Sequence, residues 1–228
     1  MGMHLIYNHD GQTGEGYLAL PETESGPAVI VIQEWWGLVS HIKDVVDRFA
    51  AAGFVAFAPD LYHGQAAAEP DMAKKLMMEL QLDAAGKEIV SAADYLLSLP
   101  EISTEHVGVV GFCMGGALAI WSGTLTPQIS ATVGFYPGSS WERHAPVWSN
   151  YQGKASIIHV AEGDGSSTAP GIQEALREIT AAGGSALAYD YPGTKHAFFN
   201  NDRPEVFEPL AAALAWERTL EFFYNSLK

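Results

Sequence analysis

With 228 residues, 48% of them apolar and 17% charged, the chain can bury one core of α/β size, and a single domain over 1–228 is the expected organisation. Twelve basic against 27 acidic side chains leave a formal charge of −15, a field that repels nucleic acid and anionic membrane, and no apolar run nears the roughly 18 residues of a bilayer span. One cysteine cannot form an internal disulfide, and neither Cys-x-x-Cys nor His-Glu-x-x-His occurs, so no metal is expected and the thiol is either inert or reactive.

The start, Met1-Gly2-Met3-His4-Leu5, has neither the cationic opening nor the apolar core of an export signal, and Ile6 stands where a myristoylation signal needs Ser or Thr. A cytoplasmic location is therefore expected. Residues 4–7 and 16–20 read as an opening hairpin at a sheet edge, with turn chemistry at Asn8-His9-Asp10-Gly11. Residues 28–33 are a continuous apolar run that suits a strand covered on both faces, and they lead into Glu34-Trp35-Trp36-Gly37. A carboxylate and two indoles are unusual after a buried strand. Either Glu34 lies in a cleft with the Trp35 N–H facing a reacting oxygen, or Glu34 is a helix-capping or solvated group and the tryptophans fill the core.

Ser40 is a candidate N-cap for a helix in which Ile42, Val45, Val46, Phe49 and Ala50 recur at helical spacing until Gly53. Residues 54–58 follow as a second buried strand, stopped by Pro59-Asp60. In the next loop, His63-Gly64 lies near the carboxyl edge, which makes His63 a candidate cleft residue. Segment 69–99 carries Leu76, Met77, Leu80, Ile89, Val90, Ala93, Leu96 and Leu97 at spacings of three and four, as one broken helix or two. Its methionines at 72, 77 and 78 read as core packing.

Residues 106–112 form a strand, and Gly111-Phe112-Cys113-Met114-Gly115-Gly116 has the Gly-x-nucleophile-x-Gly spacing of a strained strand-to-helix turn. Such a turn presents its central side chain at the positive end of the following helix, where a thiolate is favoured. The plainer reading is a small cysteine packed between strand and helix. Further strands are expected at 129–136, 155–160 and 186–191, helices at 171–182 and 206–224, and a tryptophan-bearing loop around Trp141 and Trp148. Strand and helix alternate throughout, which gives a mostly parallel sheet with helices on both faces.

In such a sheet, residues just past the strand ends converge on one edge, and Glu34, Cys113, Asp164 and His196 all stand there. Taken singly, Asp164 reads as a turn residue and His196 as a loop histidine. Together with Cys113 they supply a nucleophile, the acid that orients a base, and the base, in the chain order of the hydrolases built on this kind of sheet.

Five pieces, Gln33-Glu34-Trp35-Trp36-Gly37, Pro59-Asp60-Leu61-Tyr62, the Cys113 turn, Glu162-Gly163-Asp164 and His196-Ala197-Phe198, span most of the chain and resemble the dienelactone hydrolase family of α/β-hydrolases. The resemblance implies an α/β-hydrolase fold with a mostly parallel sheet of about eight strands. It also implies cofactor-free cleavage of a carboxylic ester or lactone through a thioester; a monomer or homodimer acting on a small-molecule substrate is expected. It assigns Cys113, Asp164 and His196 as the triad, the Trp35 and Met114 N–H groups as the oxyanion hole, and Glu34 as a gate that contacts the resting thiol.

Family members that bind a dienelactone carboxylate carry arginines where this chain has His63-Gly64 and Phe199-Asn200, with Lys195 and Arg203 as possible replacements. The expected substrate contacts are Trp36, His63, Tyr136, Trp148, Phe198 and Asn200, and the aromatic set favours an apolar or aromatic acyl or alcohol group. The alternatives are a silent binding or redox-responsive thiol protein on the same fold, and a hydrolase with phosphotriester side activity.

Overall fold

The run Ala28-Val29-Ile30-Val31-Ile32 is apolar at every position, and a strand of that pattern needs cover on both sides. In the computed structural model, which describes residues 2–9, 11–138 and 140–227, it forms β3 (Gly26–Ile32) near the middle of an eight-stranded sheet. Its side chains alternate: Val29 and Val31 join one apolar cluster, and Ala28, Ile30 and Ile32 join another.

The other strands are β1 (Met3–His9), β2 (Gln12–Ala19), β4 (Val55–Pro59), β5 (Ile102–Phe112), β6 (Ile129–Phe135), β7 (Ala155–Ala161) and β8 (Ser185–Tyr191). Their spatial order is β1-β2-β4-β3-β5-β6-β7-β8. β1 and β2 form an antiparallel hairpin whose other edge pairs antiparallel with β4, and every pair from β4 to β8 is parallel. This is the α/β-hydrolase arrangement. The Asp10 part of the expected turn lies outside the described residues.

The helices are α1 (Ser40–Ala51), α2 (Pro70–Glu79), α3 (Leu82–Leu97), α4 (Met114–Ser122), α5 (Pro170–Ala181) and α6 (Pro209–Ser226). Phe49 of α1 and Phe223 of α6 pack with Val29, Val110 and Phe135 on one face. Leu96 of α3 and Leu118 of α4 pack with Ile30 and Val109 on the other, while Ile172 and Ile179 of α5 cover Ile158 and Val160. Each such buried side chain contributes about 1.5–3 kcal/mol, so the two faces hold the helices in place although none has a side-chain cap. No helix among the described residues is long and apolar enough to cross a membrane.

Several boundaries differ from the sequence expectation. Ser40 is the first helical residue and not the N-cap; Val39 precedes it, and the Ser40 hydroxyl donates to Asp202 Oδ2 at 2.6 Å. Segment 69–99 is two helices, because the chain turns extended at Leu80 and Gln81. The last helix begins at Pro209, whose missing N–H suits a first helical turn, so residues 206–208 are loop. Met72 and Met78 do not pack in the core: they are 38% and 64% exposed, on the outer side of α2. Met77, half-buried, faces the site described next.

Candidate active site

The Cys113 turn joins β5 to α4. Cys113 has φ 55° and ψ −118°, a backbone conformation that a side-chain-bearing residue adopts only under constraint. The constraint is visible in its neighbours. A Cβ on Gly111 would collide with the Gly115 carbonyl, and one on Gly115 with the Gln33 carbonyl, so strand, helix and the residues after β3 meet backbone to backbone. The Cys113 N–H donates to the Phe135 carbonyl at 3.0 Å, which ties the turn to β6.

Asp164 ends a 3₁₀ turn, Glu162–Asp164, directly after β7, and His196 lies in the loop after β8. These two loops are clasped to each other. The Gly163 N–H donates to the Thr194 carbonyl at 3.0 Å, and the Gly193 N–H to Glu162 Oε2 at 2.7 Å. The clasp sets the His196 Nδ1–H to donate to Asp164 Oδ2 at 2.8 Å, and the ring shares one cavity with Cys113, near enough for the sulfur to act on its charge. Burial disfavours the imidazolium, but the hydrogen bond to Asp164 and the neighbouring Cys113 prevail, and the His196 pKa rises to about 10.

Glu34 is 1% exposed, and both its oxygens are occupied: the Tyr136 hydroxyl donates to Oε1 at 3.4 Å and the Asn200 amide to Oε2 at 2.8 Å. Asn200 is itself oriented by the Asp202 N–H, which donates to its Oδ1 at 3.0 Å. Among the described residues Glu34 makes these two hydrogen bonds and none to the Cys113 thiol. Tyr136, fully buried with φ 37°, joins the two halves of the site: its ring meets His196 edge-on at 5.0 Å. Burial, Glu34 and Cys113 together push its phenol well above the usual range. The Trp35 and Met114 N–H groups are taken by no acceptor among the described residues.

A cavity of about 230 Å³ contains Cys113 and His196, and its walls are Met77, Leu80, Leu82, Met114, Ala117, Gly138, Ser140, Arg143 and His144. Of the six expected substrate contacts, only Tyr136 touches the catalytic groups here. Trp36 and Asn200 line a neighbouring cavity of about 290 Å³ with Ser40, His41 and Arg203, on which neither Cys113 nor His196 borders. His63 points elsewhere: the Asp60 carboxylate accepts the Tyr62 and Gly64 N–H groups, the turn so formed puts His63 at φ 52°, and its imidazole meets Glu88 of α3 at 3.4 Å.

Trp148 opens a 3₁₀ turn and packs against Trp141 at 5.3 Å, away from the cysteine. Phe198 is fully buried between Tyr136 and Tyr191, as core. Lys195 reaches the Glu205 carbonyl, and Arg203 pairs with Glu205 and lies over the Trp36 ring at 5.9 Å. Met77, Leu80, Leu82, Arg143 and His144 were not foreseen. The signals available were the break between two amphipathic helices and a basic pair in the loop after a strand's carboxyl end. Among the described residues no three His, Cys, Asp or Glu side chains gather as a metal site would require.

The model of the dienelactone hydrolase family matches residues 15–227. Protein usf of Aquifex pyrophilus is 35% identical over 234 residues, and a provisionally assigned carboxymethylenebutenolidase of Aquifex aeolicus is 33% identical over 238, each match covering 100% of both chains. Among solved structures, a provisionally assigned dienelactone hydrolase of Klebsiella pneumoniae superposes with a TM-score of 0.83 over 98% of each chain at 23% identity. Since one family accounts for nearly every residue from the second strand to the final helix, and relatives align with it end to end, the chain belongs to the dienelactone hydrolase family.

Proposed function

We propose that the protein is a carboxylic ester or lactone hydrolase in which Cys113 is the nucleophile, His196 the acid and base, and Asp164 the group that orients and stabilises the imidazolium. The observation that carries this reading is the His196 ring held between the Asp164 carboxylate, at 2.8 Å, and Cys113. A histidine with its pKa raised to about 10 holds a proton firmly, so it can take the thiol proton as the sulfur attacks and pass it to the departing alkoxide.

The sulfur attacks the acyl carbon, and the carbonyl oxygen becomes an oxyanion facing the Trp35 and Met114 N–H groups. As the C–O bond breaks, His196 gives its proton to the departing alkoxide and leaves a thioester on Cys113. The neutral imidazole then takes a proton from water, whose hydroxide attacks the thioester; the carboxylic product departs and the thiol and imidazole return to their starting state. In a lactone both products are ends of one opened ring. Glu34 takes no part in these proton transfers; with Tyr136 and Asn200 it forms the buried wall behind the reacting groups.

The walls contributed by Met77, Leu80, Leu82, Met114 and Ala117 suit a substrate with an apolar segment, and the cavity is smaller than the roughly 300–1,000 Å³ of drug-sized sites. Turnover of short-chain 4-nitrophenyl esters tests the reading. The wild type should hydrolyse them with an initial burst of nitrophenol, Cys113→Ala should not, and intact-mass spectrometry of a rapid quench should show the acyl adduct on Cys113. Equal rates for wild type and Cys113→Ala would overturn it.

A further inference from the structure

The protein has five arginines, and four are engaged. Arg48 lies over Phe199 and Trp216 at 4.9 and 4.3 Å, Arg177 pairs with Glu178, Arg203 with Glu205, and Arg218 lies over Tyr189 at 4.1 Å. Arg143 is different. Among the described residues it makes no ion pair, no side-chain hydrogen bond and no ring contact, and it is the arginine that borders the cavity of Cys113 and His196. Its charge acts on its surroundings, since burial and then Arg143 hold the His144 imidazole below its usual pKa.

The setting gives that free guanidinium a use. A chain of formal charge −15 repels an anionic substrate at long range, so an anion that reaches this cavity needs a local cation to hold it. Lys195, the cation beside His196 in sequence, is directed at the Glu205 carbonyl, and Arg203 is bound to Glu205. The His196 imidazole on the same cavity is already committed to Asp164, and Met77, Leu80 and Leu82 present hydrocarbon and thioether.

We infer that Arg143 is a specificity-determining residue: the substrate is an ester with a short apolar segment and a carboxylate beyond it, the segment against Met77, Leu80 and Leu82 and the carboxylate on the Arg143 guanidinium. This rests on the hydrolase reading of Cys113. A planar guanidinium with unused donors matches a carboxylate in fork geometry, and the apolar walls of the same cavity take the hydrocarbon that separates charge from ester.

Two ester pairs test it. One carries the charge on the acyl side, the 4-nitrophenyl monoester of adipic acid against its terminal primary amide. The other carries it on the alcohol side, 4-acetoxybenzoate against 4-acetoxybenzamide. The wild type should prefer the carboxylate member of at least one pair in kcat/KM. Arg143→Gln should lower the carboxylate-to-amide ratio about five- to tenfold, mostly through KM, the size of one charge-assisted contact on a partly solvated arginine. Arg143→Lys should restore part of the ratio, and added salt should erode it in the wild type but not in Arg143→Gln. No preference in the wild type, or an unchanged ratio in Arg143→Gln, overturns the role of Arg143 alone, provided that hydrolysis of the amide esters still depends on Cys113. If Cys113→Ala hydrolyses those esters at the wild-type rate, the hydrolase reading fails and this inference with it.

Discussion

Asn200→Asp is the sharpest perturbation of the buried wall, because it keeps the shape and replaces a donor by a carboxylate. The wild-type amide lies 2.8 Å from Glu34 Oε2, and the two residues are 2% and 1% exposed. Two full charges at that separation repel by about 6 kcal/mol at an effective dielectric of about 20. Holding one proton on the pair at pH 7 is cheaper, at about 4 kcal/mol for a carboxyl whose unfolded pKa is near 4. Protonation therefore wins, and the pair shares one proton in the folded state.

The sign follows from proton counting. Above pH 4 the folded variant binds a proton that the unfolded chain does not, so its stability falls relative to wild type by about 1.4 kcal/mol per pH unit as pH rises, and the deficit shrinks towards zero near pH 4. Urea unfolding of wild type and variant at pH 5, 6, 7 and 8 measures this directly. A difference independent of pH, or smaller than about 1 kcal/mol at pH 7, would refute the claim that Glu34 and Asn200 form a dry, directly bonded pair.

Gly111→Ala should destabilise the fold by about 2–4 kcal/mol, since the new methyl group meets the Gly115 carbonyl with no flexible side chain to yield; thermal unfolding reads it, and a shift near zero would show that the turn can open. Asp164→Asn should lower kcat/KM by about 10²–10⁴-fold. It should also move the alkaline limb of the pH–rate profile down from about 10, because the imidazolium loses its carboxylate partner; an unmoved limb would assign the limb to another group. The same raised pKa stabilises the native state fully below about pH 6.5 and is lost as pH climbs through about 10, so the stability difference between wild type and Asp164→Asn should narrow across that range.

The strands were legible because each is an apolar run between turn residues, and a buried parallel strand has few other ways to be written. The Cys113 turn was legible for a similar reason: Gly111 and Gly115 are needed where backbones touch. Loop residues past the strand ends obey longer-range constraints. His63 turns towards α3 because Asp60 binds the Tyr62 and Gly64 N–H groups, and Glu88 that meets it lies 25 residues on. Trp148 follows Trp141, its edge-to-face partner, and not the cysteine. Asn200 looked in the sequence like a missing arginine, whereas in the fold it is the donor that satisfies a buried carboxylate far along the chain. Of the three methionines of α2, the helix's rotation selects the one that faces the cavity, and rotation is set by Ala73 and Leu76 packing under Tyr62.

The clasp between the Asp164 and His196 loops makes them, mechanically, a single part. An insertion into either loop would drag the other with it, and the carboxylate and imidazole would travel together while their distance to the sulfur changed. Transplanting one loop alone into a related scaffold would leave its half of the clasp without a mate. An engineer who wishes to reshape the substrate entrance from that side must exchange both segments at once, or confine the changes to the Arg143 loop, which lies outside the clasped unit.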